Sequence, residues 1–292
     1  MEPESVATGI LVGSRMVWFP ATVLLIGIVT WQHRMRGLAA GDRSGRPGLV
    51  RAGVALAGLI FAVHIIRVGA ETVSLFGLEG DAWRQDLRTV VFATPWGRGW
   101  RYQILATAAI LGVLTLRSGR WRHALLLVLT AGLAVSTGAT GHAVSRVAPP
   151  ALGLVLQGVH VASAGVWIGT LAVLVVHGPA LGPARFVVAL ERFSPLALAG
   201  AGTLVVSGMV SSVLYPDSWR QVFHGPWGRA LLIKLVLVGI VIAIGAWHWR
   251  VARHRARTTG RSAPLLRTAR IELGVSTAVL IVTAVLVGLP FE

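Results

Sequence analysis

Long runs of apolar residues, separated by short polar segments, make up most of the chain. We count eight such runs, at about 6–31, 52–77, 100–117, 123–141, 152–176, 195–214, 229–249 and 270–289. About twenty helical residues cross a hydrocarbon layer roughly 30 Å thick, and the runs lack the alternation of barrel strands. Because only helices and closed barrels satisfy their backbone groups in lipid, the pattern predicts an all-α, polytopic membrane protein with eight transmembrane helices.

The composition supports this class and limits the chemistry. Hydrophobic residues make up 54% of the 292 residues, charged residues 13%, and the mean hydropathy is +0.72, which excludes an ordinary soluble domain. The chain has no cysteine, so any ligand for a soft metal must be His or Met. No nucleotide-binding or hydrolase motif is present, and we therefore do not expect an enzyme.

The basic residues indicate a topology rather than a nucleic-acid partner. The formal net charge is +16, and 17 of the 27 Lys and Arg residues fall in the loops after the first, third, fifth and seventh runs, against 7 in the other loops. This bias predicts that the first set of loops is cytoplasmic and that both termini lie outside. The lipid bilayer, with its anionic head groups, is a sufficient partner for these charges. The acidic start, MEPES, lacks the basic region of a signal peptide, so we expect the first run to remain as a helix.

Two outer loops repeat one another. The pattern Asp-x-Trp-Arg-Gln occurs at 81–85 and 217–221, and Pro-Trp-Gly-Arg occurs at 95–98 and 226–229. The repeat predicts two four-helix halves, 1–145 and 146–292. Since each half has an even number of spans, the halves are parallel, and binding sites are expected between them.

Several polar side chains fall inside the apolar runs, where a charge costs about 2.5–3.5 kcal/mol. Arg67 and Glu71 are four residues apart and can pair on one helix face; with Arg15 they would link the first two spans. Lys234 is the fourth charge of this intramembrane network. In the fifth run, Gly165 and Gly169 are also four apart, which is typical of close helix packing.

Histidines suggest a metal. His142 ends the fourth run and His160 lies in the fifth, so a short loop brings their helices together. His64, Met209 and Met16 complete the candidate ligands, and imidazole with thioether suits copper, particularly Cu(I). Three alternatives remain open at this point: a copper ion, a b-type haem whose propionates the Arg and Lys residues neutralise, or a purely structural membrane subunit.

The second half resembles the copper resistance protein D (CopD) family of bacterial inner-membrane proteins. The resemblance rests on Gly141–Ala143, His160, Trp167, Gly169, Phe193, Ser194, Ser207, Gly208, Gly228, Arg229, Lys234, Arg270 and Glu272. It implies copper handling, usually uptake from the periplasm towards the cytoplasm, with a periplasmic copper-binding protein as a possible partner. It also implies a multi-pass location in the inner (plasma) membrane.

Overall fold

The computed structural model describes residues 3–35, 45–77, 82–116, 119–141, 147, 149–214, 225–247, 250 and 263–289. Throughout these ranges the regular secondary structure is helical, and they contain no strand. The predicted all-α class is therefore confirmed.

Ten α-helices follow one another in the ranges that the structure describes. They are α1 (Pro3–Arg34), α2 (Gly45–Phe76), α3 (Trp83–Ala93), α4 (Pro95–Thr115), α5 (Arg120–Ser136), α6 (Pro150–Ala164), α7 (Thr170–His177), α8 (Pro183–Leu214), α9 (Gly225–Trp247) and α10 (Ala263–Leu286). A 3₁₀ turn, Thr137–Thr140, continues α5, and a π-turn, Gly165–Gly169, joins α6 to α7.

Seven of the helical segments that the structure describes are long and apolar enough to cross a membrane. They correspond to seven of the eight predicted spans. The eighth, predicted at about 100–117, coincides with α4, a helix of 21 residues that packs against both α2 and α5. Its first three turns carry Arg98, Arg101 and Gln103, which lower its hydropathy.

Helix α1 is shared by two hydrophobic cores. Leu25 and Val29 pack with residues of α2, α4 and α5 in one core. Val23, Ile28 and Trp31 pack in the other, with residues of α6 to α10 and the π-turn. Helix α1 consequently lies between the first and last parts of the chain, although the predicted boundary at 145/146 stays a prediction.

The π-turn packs against α1 at glycine positions. A Cβ on Gly27 would overlap the backbone of Gly169, and a Cβ on Gly165 would lie 2.5 Å from Ile26. The predicted packing role of Gly165 and Gly169 is confirmed. Single π-turns of this kind occur at functional sites in many helices.

The Pro-Trp-Gly-Arg repeat opens two helices. Pro95 occupies the first turn of α4, where the Thr94 hydroxyl accepts a 2.9 Å hydrogen bond from the Gly97 amide. Pro226 likewise lies at the start of α9, after Gly225, whose φ is +82°. Proline suits this position because the first amides of a helix have no partner within it. The second copy of the Asp-x-Trp-Arg-Gln motif, at 217–221, lies outside the described residues.

Candidate functional site

A cavity surrounds His160 between α1, α6, α8, α9 and α10. It consists of two overlapping pockets of about 120 and 150 Å³, which we call the His160 cavity. His160, Gln157, Gly208 and Lys234 line both pockets. Helix α1 contributes Trp18, Phe19, Thr22 and Val23, and the 3₁₀ turn after α5 contributes Thr137.

A hydrogen bond fixes the tautomer of His160. Its Nδ1 lies 3.0 Å from the Ser207 Oγ on α8, and that hydroxyl lies 2.7 Å from the carbonyl oxygen of Thr203. Since the hydroxyl donates its single proton to a carbonyl, it accepts from Nδ1–H. The other ring nitrogen, Nε2, is then left with a lone pair, which is the arrangement that partners of metal-binding histidines impose.

The cavity carries positive charge. Lys234 is close enough to act on His160 electrostatically. Among the described residues that line the cavity, none is Asp or Glu, and His160 and Lys234 are the ionisable ones. A bare cation at this position would be repelled in the low dielectric of the membrane.

The methionine candidates differ in position. Met209 lies on α8 and lines the larger pocket of the His160 cavity, although 64% of its surface is exposed at the outside of the helix bundle. Met16 on α1 is also exposed, and it is not among the residues that line this cavity. One of the two methionines therefore lines the His160 cavity.

His142 lies outside the described residues, so its predicted pairing with His160 stays a prediction. Gly141, the residue before it, lines the same cavity as His160. Within the ranges that the structure covers, no three His, Cys, Asp or Glu side chains form a group that could hold a metal ion.

His64 belongs to a separate buried cluster in the first half of the chain. Its side chain is fully buried, its ring packs edge-on against Trp18 at 5.4 Å, and neither ring nitrogen has a hydrogen-bond partner. The guanidinium of Arg67 lies 5.1 Å from the ring centre of Trp18. Trp18 also lines the His160 cavity, so its ring lies next to both histidine environments.

The charged residues do not pair as the spacing suggests. The Arg67 guanidinium contacts the Gln103 amide oxygen at 3.4 Å, and Gln103 in turn donates to the carbonyl oxygen of Ser136 at 2.8 Å. Glu71 acts on Arg67 and Arg15 only at longer range, and no described basic group lies within 4 Å of it. Sequence analysis did not identify Gln103, because it searched the apolar runs for charged residues and an amide is uncharged.

A second cavity, of about 240 Å³, lies further along the same helices. We call it the Glu272 cavity after its buried carboxylate on α10, which is 3% exposed. Trp167 of the π-turn, Ser194 and Arg250 also line it. Sequence analysis noted Glu272 only as part of a resemblance, although a carboxylate inside an apolar run is itself a signal.

Two family models match this chain. The family model described as "Copper resistance protein D-like, N-terminal domain" matches residues 5–146, and the one described as "Copper resistance protein D" matches residues 187–286. The "Copper transport protein CutJ" of Bacillus subtilis (strain 168) is 30% identical over 216 residues.

That alignment covers 70% of this chain and 38% of the relative, so the chain spans less than two fifths of the relative's length. No solved structure matches the chain. With family models matching both its first and its last part, this helical membrane protein belongs to the copper resistance protein D family.

Proposed function

We propose that the chain binds copper in the His160 cavity and carries it across the membrane, from the periplasm towards the cytoplasm. The observation that carries the proposal is the His160–Ser207 hydrogen bond, which leaves Nε2 as a free ligand inside a cavity among membrane-spanning helices. The copper-related family and the name of the relative support the metal.

Copper chemistry fits the ligands that line this cavity. Neutral imidazole binds copper in either oxidation state, and the Met209 thioether favours Cu(I). Protons compete with copper for imidazole, so binding weakens as the pH falls. His142 follows a residue of the cavity wall, and we assign it the capture of copper at the entrance, before transfer to His160.

The two cavities together suggest a path. Leu204 and Val238 line the His160 cavity, whereas Ala201 and Ile242, on the same two helices, line the Glu272 cavity. These pairs are three and four residues apart, which is about 4.5–6 Å of helix rise. Copper leaving His160 would therefore reach the Glu272 cavity within about one turn, past the Trp167 side chain of the π-turn.

A b-type haem is the second candidate, and His64 is the observation in its favour. Both ring nitrogens of His64 are buried without a partner, close to the cation of Arg67. The volume of the His160 cavity argues against haem there. Its two pockets, of about 120 and 150 Å³, are well below the roughly 300–1,000 Å³ of pockets that hold even drug-sized ligands. We therefore favour copper at His160.

The proposal includes an arrangement in the bacterial inner membrane. We infer eight spans in two parallel halves, with α4 as the eighth span because it packs between α2 and α5, and both termini in the periplasm because of the distribution of basic residues. A periplasmic copper-binding protein would deliver the ion on that side.

Copper binding by the purified chain tests the proposal. We expect His160→Ala to abolish Cu(I) binding in competition with a chelator, while His142→Ala slows uptake at low copper but not at high copper. His123→Ala is the matched control, since this histidine contacts the Gly119 carbonyl at the start of α5. Wild-type binding by His160→Ala would refute the site, and a Soret absorption band lost in the same variant would assign it to haem.

A further inference from the structure

The His160 cavity contains more hydrogen-bond donors than its own acceptors use. Among the hydroxyls that line it, those of Thr137, Ser212 and Thr283 donate to carbonyls of their own helices. The Ser211 and Thr22 hydroxyls are different, because their oxygens are buried and have no hydrogen-bond partner. Two hydroxyl protons are therefore available to a bound group, that of Ser211 in the smaller pocket and that of Thr22 in the larger one.

Two further donors line the smaller pocket together with Ser211. Within the described part of the chain, neither the Lys234 ammonium nor the Gln157 amide forms a hydrogen bond or ion pair with protein. An ammonium without a carboxylate is costly inside a membrane and is retained where it has a partner or a function. Lys234, Gln157 and Ser211 thus offer unused donors to one space.

These donors face a cavity wall that has no described carboxylate. A site for a bare cation would show the opposite chemistry, with carboxylate or carbonyl oxygens turned inward. At about 120 Å³ the smaller pocket also greatly exceeds the roughly 10–15 Å³ needed for one water, so it has room for a small ion and its neighbours.

We propose that the His160 cavity binds a small monovalent anion of the halide class, held by the Lys234 ammonium, the Gln157 amide and the Ser211 hydroxyl. The role of this anion rests on the proposed function. The anion neutralises Lys234 beside the copper ligand, so that copper is held at His160 next to a counter-ion. The site thereby accommodates a cation and a lysine in one apolar surrounding.

Chloride binding by the metal-free chain, purified in detergent, tests the anion site without copper. In a gluconate buffer, titrated chloride should give saturable broadening of its ³⁵Cl magnetic resonance line. Lys234→Met should abolish this broadening, and Ser211→Ala should weaken chloride binding several-fold. Lys234→Arg, which keeps the positive charge, should retain the broadening. Arg229→Gln is the matched control, because it removes a positive charge from the exposed surface of the same helix.

The copper arm separates the two proposals. The Cu(I) affinities of the wild type and of Lys234→Met are measured in gluconate and in chloride. The ratio of the wild-type affinity to the variant's affinity should be at least about tenfold higher in chloride. Absence of saturable ³⁵Cl broadening in the wild type, or its survival in a folded Lys234→Met variant, would overturn the anion site. Copper binding that depends on His160 but not on chloride would overturn the anion proposal and leave the proposed copper transport standing. Chloride binding without copper binding would overturn the proposed copper transport and leave the anion site standing.

Discussion

Ser207 orients the proposed copper ligand, His160, through one hydrogen bond. Its hydroxyl accepts from His160 Nδ1 and donates to the Thr203 carbonyl. Ser207→Ala removes the acceptor, so the ring loses the tautomer preference that leaves Nε2 free. We predict a loss of about 10–100-fold in Cu(I) affinity, the usual effect of removing such a partner.

A chelator competition measures the change in affinity, with Ser212→Ala as the control. Ser212 lines the same cavity, but its hydroxyl donates to the Gly208 carbonyl. Equal affinities of the two variants would show that the Ser207 contact does not orient the ligand.

Gln103 holds the buried Arg67 in the first half. It accepts from Arg67 and donates to Ser136 and Thr140, and it is fully buried. We predict that Gln103→Leu lowers the free energy of unfolding by about 1–3 kcal/mol, because buried polar partners are left unsatisfied. Thermal unfolding in detergent measures this loss.

The same substitution at Gln85, whose side chain is exposed on α3, is the control. The earlier expectation, a direct Arg67–Glu71 pair, predicts instead that Glu71→Ala is the more damaging change. Greater destabilisation by Glu71→Ala than by Gln103→Leu would favour that pair.

At the scale of elements, the contact between α1 and the π-turn positions Trp167 and the helix that carries His160. Gly27 and Gly169 approach so closely that neither accommodates a side chain. Gly27→Leu should therefore lower both thermal stability and copper uptake, since the backbones must separate.

Gly13→Leu is the matched control on the same helix, because no atom lies within 4 Å of the position of its Cβ. Both variants add the same side chain to α1. If Gly27→Leu retains wild-type stability and uptake, the close packing does not position the site.

At the scale of the whole molecule, the number of spans decides on which side of the membrane each loop after α4 lies. With eight spans and an external N-terminus, a reporter after Gly45, Ser118 or Arg257 should be cytoplasmic, and one after Glu79 or Ser218 should be external. If α4 does not cross, the reporter after Ser118 would lie on the same side as the one after Glu79. Reporter fusions or cysteine accessibility at these five positions distinguish the two arrangements.

Local features of the sequence predicted the membrane class and most of the helices. Hydropathy sums over about twenty residues, so the seven long apolar helices were found without knowledge of their neighbours. Helix α8 shows the limit of such sums: the run was predicted from 195, whereas the helix begins at Pro183 and continues through Pro195. The π-turn after α6 was also missed, because the packing of Gly27 against Gly169 lies outside the local sequence.

The sequence by itself determined that His160 and Lys234 lie in apolar helices long enough to cross a membrane, because an ionisable residue in an apolar run is conspicuous. Its motifs also carried the resemblance to a copper family. Only the tertiary structure decided their partners. Ser207 meets His160 across 47 residues and Gln103 meets Arg67 across 36, contacts that depend on how each helix is rotated about its axis and where it crosses its neighbours. Spacing along one helix favoured Arg67 with Glu71, whereas packing between helices gave Arg67 an amide partner.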